Sequence, residues 1–461
     1  MAKCQCRWRR VLLCLCCAPC VLVGSLCVYI SLVISYGITI TGPAANIPQT
    51  LPKHFIAQGL TINGSLAPHP SSSFWDANYH RGALWNRLQV SIDRFYNPIL
   101  MPKSRRDRYD HLHTSNDDNK KKQFSHPTAG FSEIGNLASI MDDFPELSLQ
   151  MQMFVRSLHV RDYPVLIQPA NLCGSGPRKG QGPFLLLAIK SQDLNFENRQ
   201  VIRQTWGQAG RVAGETGEGR VVQRVFLLGK KDTELDVDVS ELLQLESRHY
   251  GDILQWDFQD TFFNLTLKDV LLWDWLSAHC PQTQFIFKGD DDVLVRTAAL
   301  LDYLQQQILQ SGGPGSEGMK GFMVGDVIGA AIPNRVNSTK YFVPETFYKG
   351  LYPPYGGGGG VVYSGVLAMR LKRVSRRVHL YPIDDVYVGM CLHRLGVHPI
   401  HHPAFLTFDF PKKEMEKPCA YYTVLLVHKR SPAQVKKLWS EMRRNHSECQ
   451  NTSLRKDTTG E

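Results

Sequence analysis

Residues 284–296 read QFIFKGDDDVLVR. Aromatic and β-branched residues at 285–287 predict a buried strand, and Gly289 predicts a tight turn where that strand ends. Three consecutive carboxylates follow at once, and these are Asp290, Asp291 and Asp292. Ligands of open α/β sheets bind beyond the carboxyl ends of the strands. This stretch therefore predicts a binding site at the end of a strand in an α/β sheet.

The three carboxylates have two interpretations. Adjacent negative charges repel one another and resist burial unless solvent or a cation compensates them. A solvated acidic turn is the simplest explanation of a short acidic run. The fully apolar strand that leads into the aspartates favours the other explanation, which is a hard divalent ion bound through oxygen ligands. We therefore predict a metal site here.

The chain before this stretch alternates between strand and helix patterns. Apolar runs at 184–190 and 221–228 predict strands that are buried on both faces. Helices are predicted from residue 196, with Asn195 as its cap, at 240–249, with Ser240 as a candidate cap, and at 260–277. Alternation of this kind predicts a mostly parallel sheet with helices on both faces.

The pattern is mixed after Asp292. Residues 321–328 and 339–343 are predicted strands. Residues 352–360 read YPPYGGGGG, and a flexible linker is the simplest explanation of such a run. The flanking tyrosines and the apolar residues that follow favour a loop that lines a site and approaches a ligand closely. No strand–glycine–helix fingerprint surrounds the loop, which argues against a dinucleotide site.

Two further stretches carry candidate functional residues. Asp384 and Asp385 stand at the start of an apolar helical pattern, where one carboxylate is predicted to cap the helix and the other to serve chemistry. His428 follows the apolar stretch 424–427. A lone histidine is usually structural, so the pattern by itself assigns His428 no function.

The N-terminus predicts a membrane anchor. Four basic residues precede an uncharged segment at 11–36, and these are Lys3, Arg7, Arg9 and Arg10. That segment exceeds the roughly 20 residues that a helix needs to cross a bilayer core, and the basic flank predicts a cytoplasmic N-terminus. A cleaved signal peptide is the alternative, but its apolar core is typically shorter. The predicted order is a cytoplasmic tail at 1–10, an anchor at 11–36, a luminal stem and linker at 37–125, a catalytic domain at 126–449 and a tail at 450–461.

The predicted stem contains one amphipathic pattern. Apolar residues recur between 74 and 100, among them Trp85, Leu88 and Ile92, and predict a helix that packs on the catalytic domain or stands alone in the stem. The formal charge of the chain is +10. Much of this basic excess lies at the N-terminus and at 103–122 rather than on one periodic face, so we predict no nucleic-acid binding.

Sequons and cysteines agree with a luminal location. Five candidate glycosylation sites follow the anchor, and these are Asn63, Asn264, Asn337, Asn445 and Asn451. Five cysteines follow it too, in an oxidising compartment and at spacings too wide for a compact zinc motif. Our hypothesis pairs Cys173 with Cys280 and Cys391 with Cys419, and leaves Cys449 without a partner in the chain.

Six motifs in order resemble the β-1,3-glycosyltransferase family of the Golgi, and most resemble its β-1,3-N-acetylglucosaminyltransferases that extend poly-N-acetyllactosamine. The motifs are RQVIRQTW at 199–206, DTFFNLTLK at 260–268, FKGDDD at 287–292, the loop at 352–363, YPIDDVY at 381–387 and Val427-His428. The resemblance covers about residues 184–439 and extends weakly to 85–100. Leu294, Arg296 and Gly356 depart from the residues that are usual in close relatives.

The resemblance implies a nucleotide-sugar-binding, GT-A-like fold with a mixed, mostly parallel sheet, located in the Golgi membrane. It also implies UDP-GlcNAc as the donor, a terminal β-galactose as the acceptor and Mn²⁺ or Mg²⁺ as the cofactor. Asp292 and His428 are then the metal ligands, and Asp385 is the general base. The residues implied for substrate binding are Arg199, Arg203, Lys288, Asp290, Asp291, Gly358, Gly359 and Asp384. We further expect a homodimer or a heterodimer with related transferases.

Three alternatives to this function are weighed at the level of sequence. A structural anchor protein would not need the glycine loop and the acidic strand end together. A related β-1,3-galactosyltransferase would use UDP-Gal in place of UDP-GlcNAc. A catalytically silent carbohydrate-binding relative would be expected to lack Asp385 or the aspartate triplet, whereas this chain has both.

Overall fold

The computed structural model describes residues 82–96, 141–169, 172–173, 182–231, 238–329, 331–444 and 446–456. The predicted anchor, most of the predicted stem and the candidate glycosylation sites Asn63 and Asn445 lie outside these residues. None of the described helices is long and apolar enough to cross a membrane.

Fourteen strands occur in the described part of the chain. In order they are β1 Val165–Ile167, β2 Leu185–Lys190, β3 Gly210–Ala213, β4 Gly219–Lys230, β5 Ile253–Gln259, β6 Phe285–Asp290, β7 Leu294–Val295, β8 Met323–Gly325, β9 Val327–Ile328, β10 Tyr355–Gly356, β11 Gly360–Ser364, β12 Ile400–His401, β13 Phe405–Leu406 and β14 Leu426–Val427.

The helices of the described residues lie between these strands and at both ends of the chain. They are α1 Leu84–Tyr96, α2 Leu149–Arg156, α3 Phe196–Gln204, α4 Ser240–Tyr250, α5 Leu265–His279, α6 Thr297–Ser311, α7 Glu317–Lys320, α8 Gly365–Ser375, α9 Asp384–Arg394, α10 Lys412–Met415, α11 Pro432–Arg444 and α12 His446–Cys449. Short 3₁₀ turns occupy Phe144–Glu146, Phe262–Asn264 and Ala420–Thr423.

One mixed sheet organises the fold. Its strand order is β1-β5-β4-β2-β6-β11-β8-β12, and β3 pairs with β4. The central strands β5, β4, β2 and β6 are parallel, whereas β1, β3 and β11 join their neighbours antiparallel. The prediction of a mixed α/β sheet is confirmed, although only its centre is uniformly parallel.

Two apolar layers cover the faces of this sheet. One layer joins α1, α2, α5, α8 and α9 to alternate residues of β2, such as Leu186 and Ala188. The other joins α3, α6 and α11 to the residues between them, such as Leu187 and Ile189. Every residue of β2 is buried, because helices cover both faces of this strand. The strand is accordingly apolar up to Lys190 at its end. Helices therefore lie on both faces, as predicted.

A second, three-stranded sheet brings distant residues together. Strand β14 pairs with β13 on one side and with β7 on the other. The antiparallel register aligns Val427 with Leu294. This pairing places His428, which follows β14, beside Asp292, which precedes β7.

Several predictions at the level of single elements are wrong. Residues 339–343 form turns and one isolated bridge between Asn334 and Phe342 instead of a strand. Helix α5 begins at Leu265 after a 3₁₀ turn, later than the predicted 260. Ser240 is the first residue of α4 rather than its cap. Neither Asp384 nor Asp385 caps α9, because Ile383 occupies that position and both carboxylates lie in the first turn.

Gly289 also differs from its prediction. It lies inside β6 rather than at a turn. A Cβ atom at this position would come within 2.7 Å of the carbonyl oxygen of Gly359. Glycine is therefore required here because the neighbouring strand approaches closely, not because the chain turns.

Candidate active site

The parallel register places a lysine and an aspartate at the carboxyl ends of adjacent strands. Lys190 at the end of β2 aligns with Asp290 at the end of β6. The Lys190 Nζ atom lies 2.9 Å from a carboxylate oxygen of Asp290. This edge of the sheet is where the strand pattern predicts ligand binding.

Asp290, Asp292 and His428 form one group, called here the metal cluster. Each offers a ligand atom, and these atoms all lie within 4.8 Å of one another. The Nε2 atom of His428 is 3.2 Å from Asp292 and 3.7 Å from Asp290. The two carboxylates and one imidazole suit a divalent ion such as Mn²⁺, since Mg²⁺ prefers oxygen ligands alone. The resemblance implied Asp292 and His428 as metal ligands but assigned Asp290 to substrate binding.

His428 is oriented by the backbone. Its Nδ1 atom lies 3.1 Å from the carbonyl oxygen of Thr407, so Nε2 faces the carboxylates, an arrangement that commonly orients histidine ligands of metals. Burial opposes protonation of the ring, but Asp292 and Asp290 outweigh burial and raise the pKa of His428. The imidazole Nε2 atom thus faces the two carboxylates with which it would share a cation.

Asp291 points away from the metal cluster. Its carboxylate accepts hydrogen bonds from Ser191 Oγ at 2.6 Å and from Asn195 Nδ2 at 2.9 Å. Asn195 thus precedes α3 without capping it through its side chain. Burial raises the pKa of Asp291 above its ordinary value, against these two hydrogen bonds. Asp291 joins the end of β2 to the end of β6, where it can also meet a ligand.

A second group, called here the lysine–aspartate network, lies next to the metal cluster. Its members are Lys190, Lys288, Asp269, Asp384 and Asp385. Lys190 Nζ lies 2.7 Å from Asp384. Lys288 Nζ lies 3.1 Å from Asp269, 3.3 Å from Asp384 and 3.4 Å from Asp385. Lys190 also pairs with Asp290 of the metal cluster, so the carboxylates around these two ammonium groups outnumber them.

The two adjacent aspartates of α9 differ in acidity. Burial alone would raise the pKa of Asp384, but the ammonium groups of Lys190 and Lys288 outweigh it and hold that pKa well below its ordinary value. Burial and the charge of Asp384 raise the pKa of Asp385 to about 7. A carboxylate with this pKa is suited to accept a proton near neutral pH. The structure therefore separates a permanent anion, Asp384, from a candidate base, Asp385.

The glycine loop connects the two groups. A Cβ atom at Gly358 would stand 3.4 Å from a carboxylate oxygen of Asp385, and one at Gly359 would stand 3.1 Å from the His428 side chain. Gly359 has a φ of +107°, which other residues rarely adopt. The amide of Asp290 donates to the Gly359 carbonyl at 3.1 Å. The loop thus lines the site, as predicted, instead of forming a linker.

Arg199 and Arg203, which the resemblance implies as substrate ligands, bind buried partners within the protein. Arg199 is fully buried and its guanidinium binds Glu246, Ser191 and the carbonyls of Gln192 and Asp193. Arg203 pairs with Glu246 and Asp252. These contacts occupy the guanidinium groups inside the protein, so the structure assigns them a role in holding the end of β2 and α4. The two arginines share one face of α3, as their spacing predicts. The acidic side chains that pair with them, Glu246 and Asp252, are remote in sequence.

Three residues of the site were missed from the sequence. Lys190 had a signal, because it is a charged residue at the end of a continuous apolar strand. Asp269 lies within the apolar helix α5, and a buried charge in such a helix needs a partner. Ser191 had no comparable signal, since its contact with Asp291 requires the parallel pairing of β2 with β6.

Comparisons with known proteins agree with this geometry. Residues 197–403 match the family model described as galactosyltransferase. The human protein N-acetyllactosaminide beta-1,3-N-acetylglucosaminyltransferase 2 is 40% identical over 381 residues, which cover 82% of this chain and 89% of that protein. This chain belongs to the galactosyltransferase family.

Two further relatives carry similar names. The Bos taurus protein UDP-GlcNAc:betaGal beta-1,3-N-acetylglucosaminyltransferase 9 is 41% identical over 62% of this chain and 72% of its own length. The human acetylgalactosaminyl-O-glycosyl-glycoprotein beta-1,3-N-acetylglucosaminyltransferase is 39% identical over 66% of this chain and 77% of its own length. The resemblance inferred from the six motifs is therefore confirmed.

The disulfides of this galactosyltransferase-family chain correct one predicted pair. Cys173 is bonded to Cys280, as predicted. Cys419 is bonded to Cys449 instead of Cys391. Cys391 is a free, fully buried residue of α9, where it packs as a small apolar side chain. The C-terminal segment after Cys449 also packs on the domain, since the Arg455 amide donates to the Thr423 carbonyl at 2.8 Å.

The described glycosylation candidates differ in exposure. Asn337 and Asn451 are exposed. Asn264 is partly buried, its Nδ2 atom donates to the Gln259 carbonyl at 2.8 Å, and the hydroxyl of Thr266 in the same sequon is buried. Occupancy at Asn337 and Asn451 is favoured by their access to solvent, whereas Asn264 is the least accessible of the three.

Proposed function

We propose that this protein transfers N-acetylglucosamine from UDP-GlcNAc to the 3-hydroxyl of a terminal β-galactose on glycan chains, and so extends poly-N-acetyllactosamine. One observation carries the proposal. Two consecutive glycines bring Asp385 and His428 to the same loop, with Gly358 against the carboxylate and Gly359 against the imidazole. A candidate base and a candidate metal cluster thus border one space, and the named relatives transfer N-acetylglucosamine.

In this proposal Asp385 acts on the acceptor, and the metal cluster acts on the diphosphate of the donor. Asp385 accepts the proton of the acceptor hydroxyl, and its raised pKa fits this role near neutral pH. Attack on the face opposite the departing UDP inverts the donor from α to β. A divalent ion held by Asp290, Asp292 and His428 would neutralise the charge that develops on the leaving diphosphate. Lys288 and Asp384 hold the base in place.

Asp291, Gly358 and Gly359 complete the proposed substrate contacts. Asp291 is anchored by Ser191 and Asn195 at the strand ends and is proposed to bind the ribose or the sugar of the donor. The glycine backbone permits a close approach of the donor, because no side chain stands between the loop and the ligand.

A second candidate function differs from the first in its donor substrate. The matching family model is described as galactosyltransferase, which favours UDP-Gal as the alternative donor. The test is a screen of the soluble luminal protein with UDP-GlcNAc and UDP-Gal on a lactosamine acceptor. Transfer from UDP-GlcNAc is expected. Transfer from UDP-Gal alone would overturn the proposal and support the alternative.

We also propose that the protein is a single-pass Golgi membrane protein with a luminal catalytic domain, because of the basic N-terminus and the uncharged segment at 11–36. In microsomes, the C-terminus of the full chain is then protected from added protease, and deglycosylation reduces the apparent mass. A C-terminus that is digested in intact microsomes would contradict this orientation.

A further inference from the structure

Helix α1 lies in the segment that the sequence assigns to the stem, yet it is built into the core. Trp85 and Gln89 are 0% and 1% exposed. The amides of Leu84 and Trp85 each donate at 2.8 Å to carbonyls of Thr346 and Phe347. The helix therefore packs on the catalytic domain, which decides between the two alternatives left open by its amphipathic pattern.

Two side chains of α1, those of Trp85 and Gln89, bind backbone groups of residues 377–380. Gln89 donates to the Arg377 carbonyl at 2.8 Å and accepts from the His379 amide at 3.0 Å. The indole N–H of Trp85 lies 3.1 Å from the Leu380 carbonyl and 3.3 Å from that of His379. These partners are about 290 residues apart in sequence. The side chains thus meet the backbone groups of an irregular segment that has no sheet partner.

That segment leads directly to the candidate base. Tyr381 follows Leu380, and only three residues separate it from Asp385 at the start of α9. The Trp85 ring contacts the Tyr381 ring edge-on, with centroids 5.9 Å apart. The Tyr381 hydroxyl lies 2.9 Å from the hydroxyl of Tyr352, whose ring contacts that of Tyr355 beside the glycine loop.

Helix α1 also reaches the opposite end of α9. The Asp93 carboxylate lies 2.7 Å from the guanidinium of Arg394, in the last turn of α9. Asp385 is therefore carried by a helix that α1 contacts at its far end and through the segment before its start. Two residues outside α1 also hold this segment: the Arg161 guanidinium donates to the Val378 carbonyl at 2.7 Å, and the Thr266 hydroxyl donates to the Tyr381 carbonyl at 2.6 Å.

We propose that α1 is part of the acceptor side of the active site, with Trp85 and Gln89 as positioning residues that fix residues 377–381 and thereby the location of Asp385. The inference deepens the proposed function and rests on it, because the role of Asp385 as base belongs to that function. It assigns an active-site role to residues of the predicted stem. Asp290 ends β6, Asp291 and Asp292 follow it, and His428 follows β14. None of the contacts of α1 given above reaches these residues, so donor binding is expected to be independent of Trp85 and Gln89.

The experiment compares two pairs of matched variants of the luminal chain. Trp85→Phe keeps an apolar ring but removes the indole donor. Its control is Trp275→Phe, because Trp275 is also buried and its Nε1 atom has no hydrogen-bond partner. Gln89→Met removes a side-chain amide that binds backbone groups. Its control is Gln152→Met, because Gln152 lies in α2 and its Nε2 atom also donates to a backbone carbonyl, that of Leu147. All four are assayed at a temperature where circular dichroism shows them folded.

The expected result is a split between the two substrates. Trp85→Phe and Gln89→Met lower kcat about tenfold or more and raise the acceptor KM, since a displacement of about 1 Å can cost on the order of 10²-fold. The KM for the donor stays within about twofold of wild type, and both controls keep kcat near wild type. A merely structural role would lower Tm without this split.

Two results would overturn the inference. One is a kcat for Trp85→Phe and Gln89→Met that equals that of the controls. The other is a donor KM that rises as much as the acceptor KM, because α1 would then support the fold as a whole. Failure of the proposed function is seen separately, as a wild-type protein that does not use UDP-GlcNAc in the donor screen.

Discussion

The metal cluster and the lysine–aspartate network are both acidic, but they balance their charge in different ways. Side chains of the metal cluster are partly open, with Asp292 44% exposed, and one ammonium group, that of Lys190, reaches the cluster at Asp290. The network is buried, with Asp384 7% exposed, and contains both Lys190 and Lys288. A partly open site with more carboxylates than ammonium groups is suited to recruit a cation, whereas a buried network with two lysines can tune the acidity of a base. Neighbouring carboxylates thus acquire different chemistry from their surroundings.

The largest expected effect is the loss of transfer without metal. A chelator abolishes activity, and Mn²⁺ or Mg²⁺ restores it. Asp292→Ala removes activity with little change in Tm, because a partly exposed carboxylate contributes little to stability. Thermal shift provides a second measurement, since added Mn²⁺ raises the Tm of wild type but not that of Asp292→Ala.

The control for this variant is Asp274→Ala. Asp274 is also partly exposed and pairs with Lys372 at 3.2 Å on the surface, so activity and the Mn²⁺ shift should both remain. Full transfer activity in the presence of chelator would show that the metal cluster needs no cation. The proposed difference between the metal cluster and the lysine–aspartate network would then be wrong.

The second largest effect separates Asp385 from Asp384. Asp385→Asn is expected to lower kcat by roughly 10² to 10⁴-fold, as general-base loss typically does. Its Tm should stay or rise: because burial raises the folded pKa of Asp385 above the unfolded value, the ionised carboxylate destabilises the fold at neutral pH.

Asp384→Asn is the matched variant, with the opposite effect on stability. The folded pKa of Asp384 lies below its ordinary value, so its charge stabilises the fold above the unfolded pKa, and its removal should lower Tm. Its loss of kcat should be smaller than that of Asp385→Asn. Near-normal turnover in Asp385→Asn, or a reversed ranking of kcat, would refute the assignment of the base.

The pH dependence of kcat is the third test of the comparison. Because the pKa of Asp385 is raised to about 7, kcat should fall as pH drops through about 7 and lose about tenfold per pH unit below it. The residual activity of Asp385→Asn should lack this limb. If kcat falls only near pH 4, the ordinary range of an aspartate, then the lysine–aspartate network does not raise the pKa of Asp385.

The smallest expected effect on activity concerns Arg203, which belongs to neither group. Arg203→Met leaves Glu246 and Asp252 without one buried partner, and breaking such a pair typically costs about 3–5 kcal/mol of stability. We expect a lower Tm but a donor KM within about twofold of wild type. A large rise in the donor KM at an unchanged Tm would support the substrate role that the resemblance implies for Arg203.

Much of the central fold was accessible from pattern alone. The apolar runs of β2, β4 and β6 are long enough to be recognised as buried strands, and α3 begins at the predicted residue. The error at 339–343 has a physical cause. Its residues resemble a strand by composition, but among the described residues they form only an isolated bridge, between Asn334 and Phe342, and no ladder of strand pairs.

Disulfide connectivity shows a similar limit. Spacing along the chain does not reveal which thiols meet, because pairing requires Cα atoms to approach within about 7 Å. The Cα atoms of Cys419 and Cys449 lie 5.4 Å apart, whereas Cys391 is enclosed in α9.

The sequence by itself determined the acidic strand end at Asp290–Asp292, which is a local pattern of residue types. Its six motifs determined the class of protein by resemblance, and the same resemblance implied the candidate base at Asp385. Tertiary structure alone decided that Asp290 joins Asp292 and His428, that Lys190 and Lys288 divide the acidity of Asp384 and Asp385, and that α1 supports the segment before α9. The physical reason is distance along the chain. Electrostatic and hydrogen-bond partners act through space over a few ångströms, and here they come from segments separated by as many as 295 residues.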